Sequence, residues 1–212
     1  MATSAAMVQL KVVKGGGAGG TGDMTCAAIL ASFDPPIEFG SHSEMVGSKP
    51  GYQAEHIVPT SAAHQSGRSG PTVPGCEGYS TPSALTWMVG DGQSAGMEHK
   101  LLTDPMREFS QANDLAKNNA PLSKWLDEYK EGAKDALKNG KPPRKTPDGV
   151  DKDSLIDAAA ECIRLAAAES FANMDPPVAM DTPMRNPWPA TEAQRAAAQA
   201  ATPANATQVG SF

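Results

Sequence analysis

The segment between residues 40 and 96 constrains the fold more than any other part of this sequence. It is rich in Gly, Pro, Ser and Thr, and it contains two short apolar runs, residues 54–58 and 84–89. Both runs have the length and composition of β-strands. A loop of about 25 residues joins them, and a loop of that length is uncommon in a compact domain unless it carries function. We therefore predict two strands with a functional loop between them.

The N-terminal region, residues 1–38, is predicted to contain a short strand, a linker and a short helix. Residues 8–13 are partly β-branched and alternate loosely, which suits a strand, and residues 24–33 form a run that ends just before two prolines. Six of the eight residues from 15 to 22 are Gly. Because this run lacks the Gly-Lys-Ser/Thr ending of a phosphate-binding loop, we interpret it as a linker.

Three helices are predicted in the second half of the chain. Asp104 followed by Pro105 is typical of a helix start, because the first helical position needs no N–H. Apolar residues recur at helical spacing, and the predicted helices span residues 105–117, 121–138 and 154–172. Together with the strands, these helices predict an α+β fold. Its small core and long irregular loops lie within residues 39–140, and C-terminal helices surround them. The last of these helices lies within residues 141–173.

The end of the chain, residues 174–212, differs in composition from everything before it. Pro, Ala, Thr, Asn and Gln dominate this segment, and six of its 39 residues are Pro. A segment with so few large apolar side chains buries too little surface to fold by itself. We therefore predict a tail that is disordered or loosely docked.

Charge and cysteine content limit the classes of function that the sequence can support. The net charge of −6 and the pI near 5.2 argue against a general nucleic-acid coat protein, although they do not exclude a local basic cleft. The three cysteines form no C-x-x-C pair, so we predict no disulfide framework, no cysteine zinc site and a reducing compartment. No stretch has the length of a membrane span or a signal-peptide core. The expectation is a chain made in the cytoplasm without membrane insertion, and any export would need no cleaved leader.

Two of the four histidines directly follow a glutamate, and these two dipeptides are the most informative motif. They are Glu55-His56, at the end of the first predicted strand, and Glu98-His99, after the second. At a strand end both side chains of such a dipeptide can reach one site, where a neutral His accepts a proton from water and a carboxylate holds a hard cation. A partly exposed loop histidine explains the first motif equally well. The chain has no H-E-x-x-H motif, so a zinc protease of that type is not indicated.

Residues 54–59, Ala-Glu-His-Ile-Val-Pro, resemble the first motif of the HNH/endonuclease VII superfamily. More specifically, the chain resembles the nuclease toxin domains of bacterial polymorphic toxin systems. In those domains the motif is followed by Arg and Gly in the loop, a Tyr, a strand that starts with Ala, and a Gly-x-x-His segment. The matching pieces here are Arg68-Ser69-Gly70, Tyr79, Ala84-Leu85 and Gly96-Met97-Glu98-His99. The resemblance covers about residues 52–110, roughly a quarter of the chain.

The resemblance implies a small ββα-metal core and a site for phosphodiester hydrolysis. His56 would be the general base, and Glu55 and His99 would hold one divalent cation, with Mg²⁺ preferred over Mn²⁺ or Zn²⁺. Arg68 would clamp a phosphate. Further candidate ligands are Glu98 and His64.

The chain departs from the family pattern at the residue that orients the base. The Asn that usually orients it has no counterpart between His64 and His99. Gln53, Asp91 and Gln93 are the alternatives, and nothing in the sequence selects one of them.

The function expected from this resemblance is a metal-dependent endonuclease, a DNase toxin rather than an RNase. As an effector of a contact-dependent machine such as type VI secretion, it would act in a target-cell cytoplasm. Its partners would be nucleic acid, a cognate immunity protein and a secretion-apparatus or adaptor protein. Two alternatives stay open. One is another metal-dependent hydrolase, acting on peptidoglycan or a phosphoester, and the other is a non-enzymatic secreted adaptor or scaffold.

Overall fold

The computed structural model describes residues 5–13, 21–92 and 96–201, and these residues form an α+β fold. The strands are β1 (Gln9–Val13), β2 (Thr21–Thr25), β3 (Phe39–Ser41), β4 (Tyr52–His56) and β5 (Leu85–Gly90). The helices are α1 (Cys26–Ala31), α2 (His42–Met45), α3 (Thr60–Ala63), α4 (Glu98–Leu115), α5 (Leu122–Asn139), α6 (Lys152–Ala172) and α7 (Glu192–Ala201).

The strands form two small antiparallel sheets. β1 pairs with β2, and the second sheet has the order β3-β5-β4 with β5 in the centre. The two strands predicted in the centre of the chain are thereby confirmed as β4 and β5, and the strand predicted at residues 8–13 as β1. The sequence reasoning missed β2 and β3, because a three-residue strand such as β3 is too short to show a periodic pattern.

Three long helices supply most of the core. α5 packs against both α4 and α6, and its apolar face buries Trp125, Leu126 and Tyr129 almost completely. These are the residues that the helical spacing of the sequence selects. The predictions for residues 121–138 and 154–172 are confirmed as α5 and α6. Within the described ranges, no helix combines the length and apolarity needed to cross a bilayer.

The start of α4 differs from the prediction. The helix begins at Glu98 and contains Pro105 in its interior, so the expected start at Asp104-Pro105 is wrong. The physical reason is a tertiary contact. The Glu98 carboxylate accepts hydrogen bonds from the Gly90 amide (2.7 Å) and from the buried Arg144 guanidinium (2.6 and 3.0 Å). This contact ties the first turn of α4 to the end of β5 and places His99 on a helix.

Two predictions for the chain termini have different outcomes. The predicted linker spans residues 15–22. Residues 14–20 lie outside the described residues, and Thr21 and Gly22 belong to β2. Residues 174–201 of the predicted tail dock on the helices, which is the second of the two states that the composition left open. Val178 and Met184 are buried, and the Leu122 amide donates to the Thr182 carbonyl at 2.9 Å. The segment docks because the helices offer it an apolar surface that it could not form alone.

A disulfide joins Cys26 and Cys162, which corrects the expectation that none forms. α1 packs against α6, and this brings two buried cysteines to a Cα–Cα distance of 5.4 Å, within the range that a disulfide spans. The sequence separation of 136 residues hid the pair. Cys76 is buried and free.

Removal of this disulfide should lower the free energy of unfolding by about 2–4 kcal/mol, because the bond closes a long loop in the unfolded chain. The measurement is urea unfolding of the oxidised protein, the reduced protein and the Cys26→Ser/Cys162→Ser variant. The last two should agree, and reductant should not change the variant. An oxidised wild type whose midpoint is insensitive to reductant would contradict the bond.

Candidate active site

The end of β4 and the first turn of α4 bring three predicted residues together. Glu55 and His56 are the last two residues of β4, and His99 is the second residue of α4. His99 Nδ1 lies 2.7 Å from Glu55 Oε2, and both side chains are mostly buried. Gln53, two residues before Glu55 on the same strand, contacts His99 Nδ1 and lies 3.4 Å from Glu55 Oε2. The strand end therefore presents a compact cluster of polar side chains to one helix.

The environment of His99 favours its protonated form. Burial lowers the pKa of this histidine, but the hydrogen bond and the negative charge of Glu55 outweigh burial, and Asp91 adds to them. The pKa of His99 is therefore raised above its ordinary value. The proton on His99 balances the negative charge of Glu55, and a bound divalent cation would balance the same charge. The pair is therefore suited to release this proton when a cation binds.

His56 has the opposite environment, and its pKa is lowered to about 4. Burial is the largest cause, and the neighbouring His42 and Arg68 add to it, while a hydrogen bond to the Thr81 backbone opposes them. Nε2 of His56 is buried and has no hydrogen-bond partner among the described residues. His56 is therefore neutral at pH 7 and has one unpartnered ring nitrogen, which is the state that a general base requires.

The ring of His56 is held by its neighbours rather than by an asparagine. The His42 ring stacks on it, with centroids 4.4 Å apart, and the Thr81 backbone supplies its hydrogen bond. Of the three side chains proposed from the sequence to orient the base, Gln53 contacts His99 instead and Asp91 acts on the charge of His99. The third, Gln93, lies outside the described residues.

Two cavities meet at this cluster. The first has a volume of about 240 Å³ and extends towards α4 and the docked tail. The second has a volume of about 480 Å³ and extends towards α2 and the start of β4. Both are lined by the same five residues, which are Glu55, His56, Thr60, Arg68 and His99. Arg68 is exposed and forms no ion pair with a described residue, so its charge is available to an anion in either cavity.

Two predicted candidates lie elsewhere. Glu98 is 1% exposed and bonds to Arg144 and the Gly90 amide, so its carboxylate is already satisfied. His64 is also buried, and its Nδ1 lies 2.9 Å from the Gly70 carbonyl oxygen. Neither side chain lines the cavities at the cluster. Their positions explain why these residues stabilise the fold rather than join the site.

His42 is the site residue that sequence reasoning missed, and Gln53 was named only as a candidate to orient the base, not as a contact of His99. For Gln53 a signal existed, because residues two apart on a strand share a face, and Gln53 lies two before Glu55. For His42 the signal was the Ser41-x-x-Glu44 pattern of a capping box, which forms here and starts α2 at His42. Neither signal shows that the residue contacts a histidine distant in sequence.

The possible metal donors at the cluster are one carboxylate, Glu55, and one imidazole, His99. Among the described residues no group of three His, Cys, Asp or Glu side chains is placed to hold a metal ion. Catalytic zinc usually takes three protein ligands, whereas Mg²⁺ is commonly bound by one or two carboxylates, waters and substrate phosphates. The 2.7 Å between Glu55 Oε2 and His99 Nδ1 is close to the ~3 Å that separates adjacent ligands of an octahedral Mg²⁺.

No protein-family model, no curated protein sequence and no solved structure matches this chain. The resemblance to HNH nucleases therefore depends on the short motifs of residues 54–99. The case for an active site depends on the geometry of Glu55, His56 and His99 and on the two cavities that meet there.

Proposed function

We propose that this protein is a metal-dependent endonuclease that hydrolyses phosphodiester bonds, with DNA as the preferred substrate. One observation carries the proposal: His56, a neutral histidine whose Nε2 has no hydrogen-bond partner among the described residues, lines the same cavity as the Glu55–His99 pair and as Arg68, which forms no ion pair with a described residue. A base, a cation-binding pair and an anion-binding group are the three parts that phosphodiester hydrolysis needs.

Each residue has one task in this proposal. His56 accepts at Nε2 the proton of the water that attacks phosphorus, because its other contacts leave that nitrogen without a partner. Glu55 and His99 would hold a divalent cation, Mg²⁺ in the first instance, and Gln53, which contacts both side chains, would fix their orientation. The bound cation would neutralise charge on the scissile phosphate and the leaving oxygen. Arg68 donates hydrogen bonds to a phosphate oxygen and holds the strand in place.

The proposed biological setting comes from the resemblance to the nuclease toxin domains of bacterial polymorphic toxin systems. A nuclease of this kind would be an antibacterial toxin, whose producer would need an immunity protein to cover the cavities at Glu55 and His56. A type VI secretion machine would be the delivery route. The two-ligand cluster favours this function over a zinc-dependent peptidoglycan hydrolase, because zinc hydrolases usually hold their metal with three side chains.

The test is cleavage of single-stranded circular DNA and of supercoiled plasmid by the purified full-length protein. We expect cleavage of at least one substrate with Mg²⁺ or Mn²⁺, and none when EDTA removes the metal. The Glu55→Gln variant keeps the size of the side chain but loses the charge that holds the cation, so it should need much more Mg²⁺ for the same rate. Glu77→Gln, at an exposed carboxylate outside both cavities, is the matched control. Cleavage that is unchanged by EDTA, or no cleavage of either DNA, contradicts the proposal.

A further inference from the structure

The reactive cluster lies between two cavities, and this arrangement bears on the substrate. A pocket for a terminal phosphate would need only one closed depression at the base. Here Glu55, His56 and His99 belong to both linings, so a substrate at the cluster has room to continue on either side. The following inference rests on the proposed nuclease function and concerns what form of nucleic acid fits this site.

Each cavity carries an aromatic ring paired with a cation. Trp188 and Arg107 line the first cavity, and the guanidinium carbon of Arg107 lies 5.8 Å from the Trp188 ring centroid. Tyr52 lines the second cavity, and Lys49 Nζ lies 4.2 Å from its ring centroid. Aromatic rings beside positive charges are the usual means of binding unpaired bases and their phosphates.

Both rings are attached to elements that also carry the reactive residues. Tyr52 is the first residue of β4, the strand that ends at His56, and it is paired with Gly90 of β5. The backbone of Trp188 is tied to α4, the helix of His99, by two hydrogen bonds with the buried Ser110 hydroxyl at 3.0 and 3.1 Å. The backbone segments that carry the two rings are thus tied to the elements that carry His56 and His99, which suits a binding platform.

We infer that the site takes a single-stranded polynucleotide that crosses the cluster, with one base stacked on Trp188 and another on Tyr52. The bases of a duplex are already stacked and paired, so they are not available to these rings. Arg68 lines both cavities, and its guanidinium would bind a phosphate of the strand that passes from one cavity to the other. The strand enters through one cavity and leaves through the other.

The test measures binding separately from cleavage. The full-length His56→Ala variant is titrated, at constant salt with Mg²⁺, into labelled oligonucleotides of about 12 nucleotides, the length scale of a single-strand site. The probes are single-stranded DNA, single-stranded RNA of the same sequence, and the DNA duplex. We expect at least one single strand to bind about tenfold or more tightly than the duplex.

Ring replacements in the same background identify the two platforms. Trp188→Ala and Tyr52→Ala should each weaken single-strand binding roughly tenfold, whereas Trp188→Phe and Tyr52→Phe should retain most of it, because a phenyl ring still stacks. A second readout needs no destabilising variant. Trp87 and Trp125 are fully buried, so quenching of tryptophan fluorescence by the oligonucleotide should come from Trp188 and disappear in Trp188→Phe.

Equal or tighter binding of the duplex would overturn the inference, as would alanine variants that bind as well as their phenylalanine counterparts. These outcomes are distinguishable from failure of the proposed function. Metal-dependent cleavage of duplex plasmid without single-strand preference leaves the nuclease proposal standing and removes this one. Tight single-strand binding without cleavage by the wild type removes the nuclease proposal and leaves the single-strand inference standing.

Discussion

Replacement of His56 by alanine should lower the rate of DNA cleavage by about 10²–10⁴-fold, the usual contribution of a general base. In the proposed mechanism His56 acts on the attacking water while Arg68 and the metal-binding pair hold the phosphate, so the loss should fall on kcat rather than on KM. The measurement is steady-state cleavage of a labelled oligonucleotide at saturating Mg²⁺.

His64→Gln is the matched control. His64 is buried outside the cavities at the cluster and bonds to the Gly70 carbonyl, so its replacement should lower the melting temperature while folded molecules retain their kcat. Expression in a bacterial cytoplasm gives an independent readout, in which wild type arrests growth and His56→Ala does not. A His56→Ala variant as toxic and as active as wild type would refute the assigned role.

The pH profile of cleavage follows from the direction of the His56 shift. Because the pKa of His56 is lowered to about 4, the neutral form that accepts a proton persists well below pH 6.5. The rate should therefore fall on the acid side with a midpoint nearer 4 than 6.5, provided that Mg²⁺ remains saturating. A midpoint at 6.5 or above would mean that another group limits the reaction.

Replacement of Arg144 by methionine should lower the free energy of unfolding by about 3–5 kcal/mol. Arg144 is 5% exposed, and its guanidinium donates to both oxygens of Glu98 and to the carbonyls of Pro35, Pro36 and Met88. Its loss leaves the Glu98 carboxylate buried without a counter-charge, which costs far more than the pair itself contributes. Urea unfolding followed by circular dichroism measures the change.

Two further variants separate the buried charge from general packing. In Glu98→Gln/Arg144→Met no uncompensated charge remains, so part of the lost stability should return. Arg164→Met removes an arginine from a pair with Glu161 within α6, whose side chains are 26% and 22% exposed compared with 2% and 1% for Arg144 and Glu98. It should cost about 1 kcal/mol or less, because water still reaches both charges. Equal losses in Arg144→Met and Arg164→Met would contradict the role of Arg144. Because Glu98 precedes His99 in α4, Arg144→Met should also raise the Mg²⁺ concentration needed for cleavage.

The sequence predicted the elements whose pattern is local. α5 and α6 repeat apolar residues at helical spacing, and β4 and β5 are apolar runs bounded by turn residues, so each could be identified without knowledge of its neighbours. The Glu55-His56 dipeptide at a strand end could likewise be identified from the sequence, and so could His99 as a candidate metal ligand. These are properties of a few consecutive residues.

The sequence could not predict features that depend on contacts across the chain. The start of α4 depends on Arg144, 46 positions beyond Glu98, and the proline signal at residue 105 pointed to a different start. The disulfide spans 136 residues. The tail docks on a surface that the helices create, and its composition alone therefore could not decide between a disordered and a docked state.

The sequence by itself determined an α+β chain, its long helices and a glutamate–histidine motif suited to hydrolysis. Only the tertiary structure decided that Glu55 meets His99, that His42 stacks on His56, and that Trp188 of the docked tail lines the same cavity. The physical reason is that local pattern encodes which face of an element is apolar, whereas the shape and charge of a site arise where faces of distant elements meet.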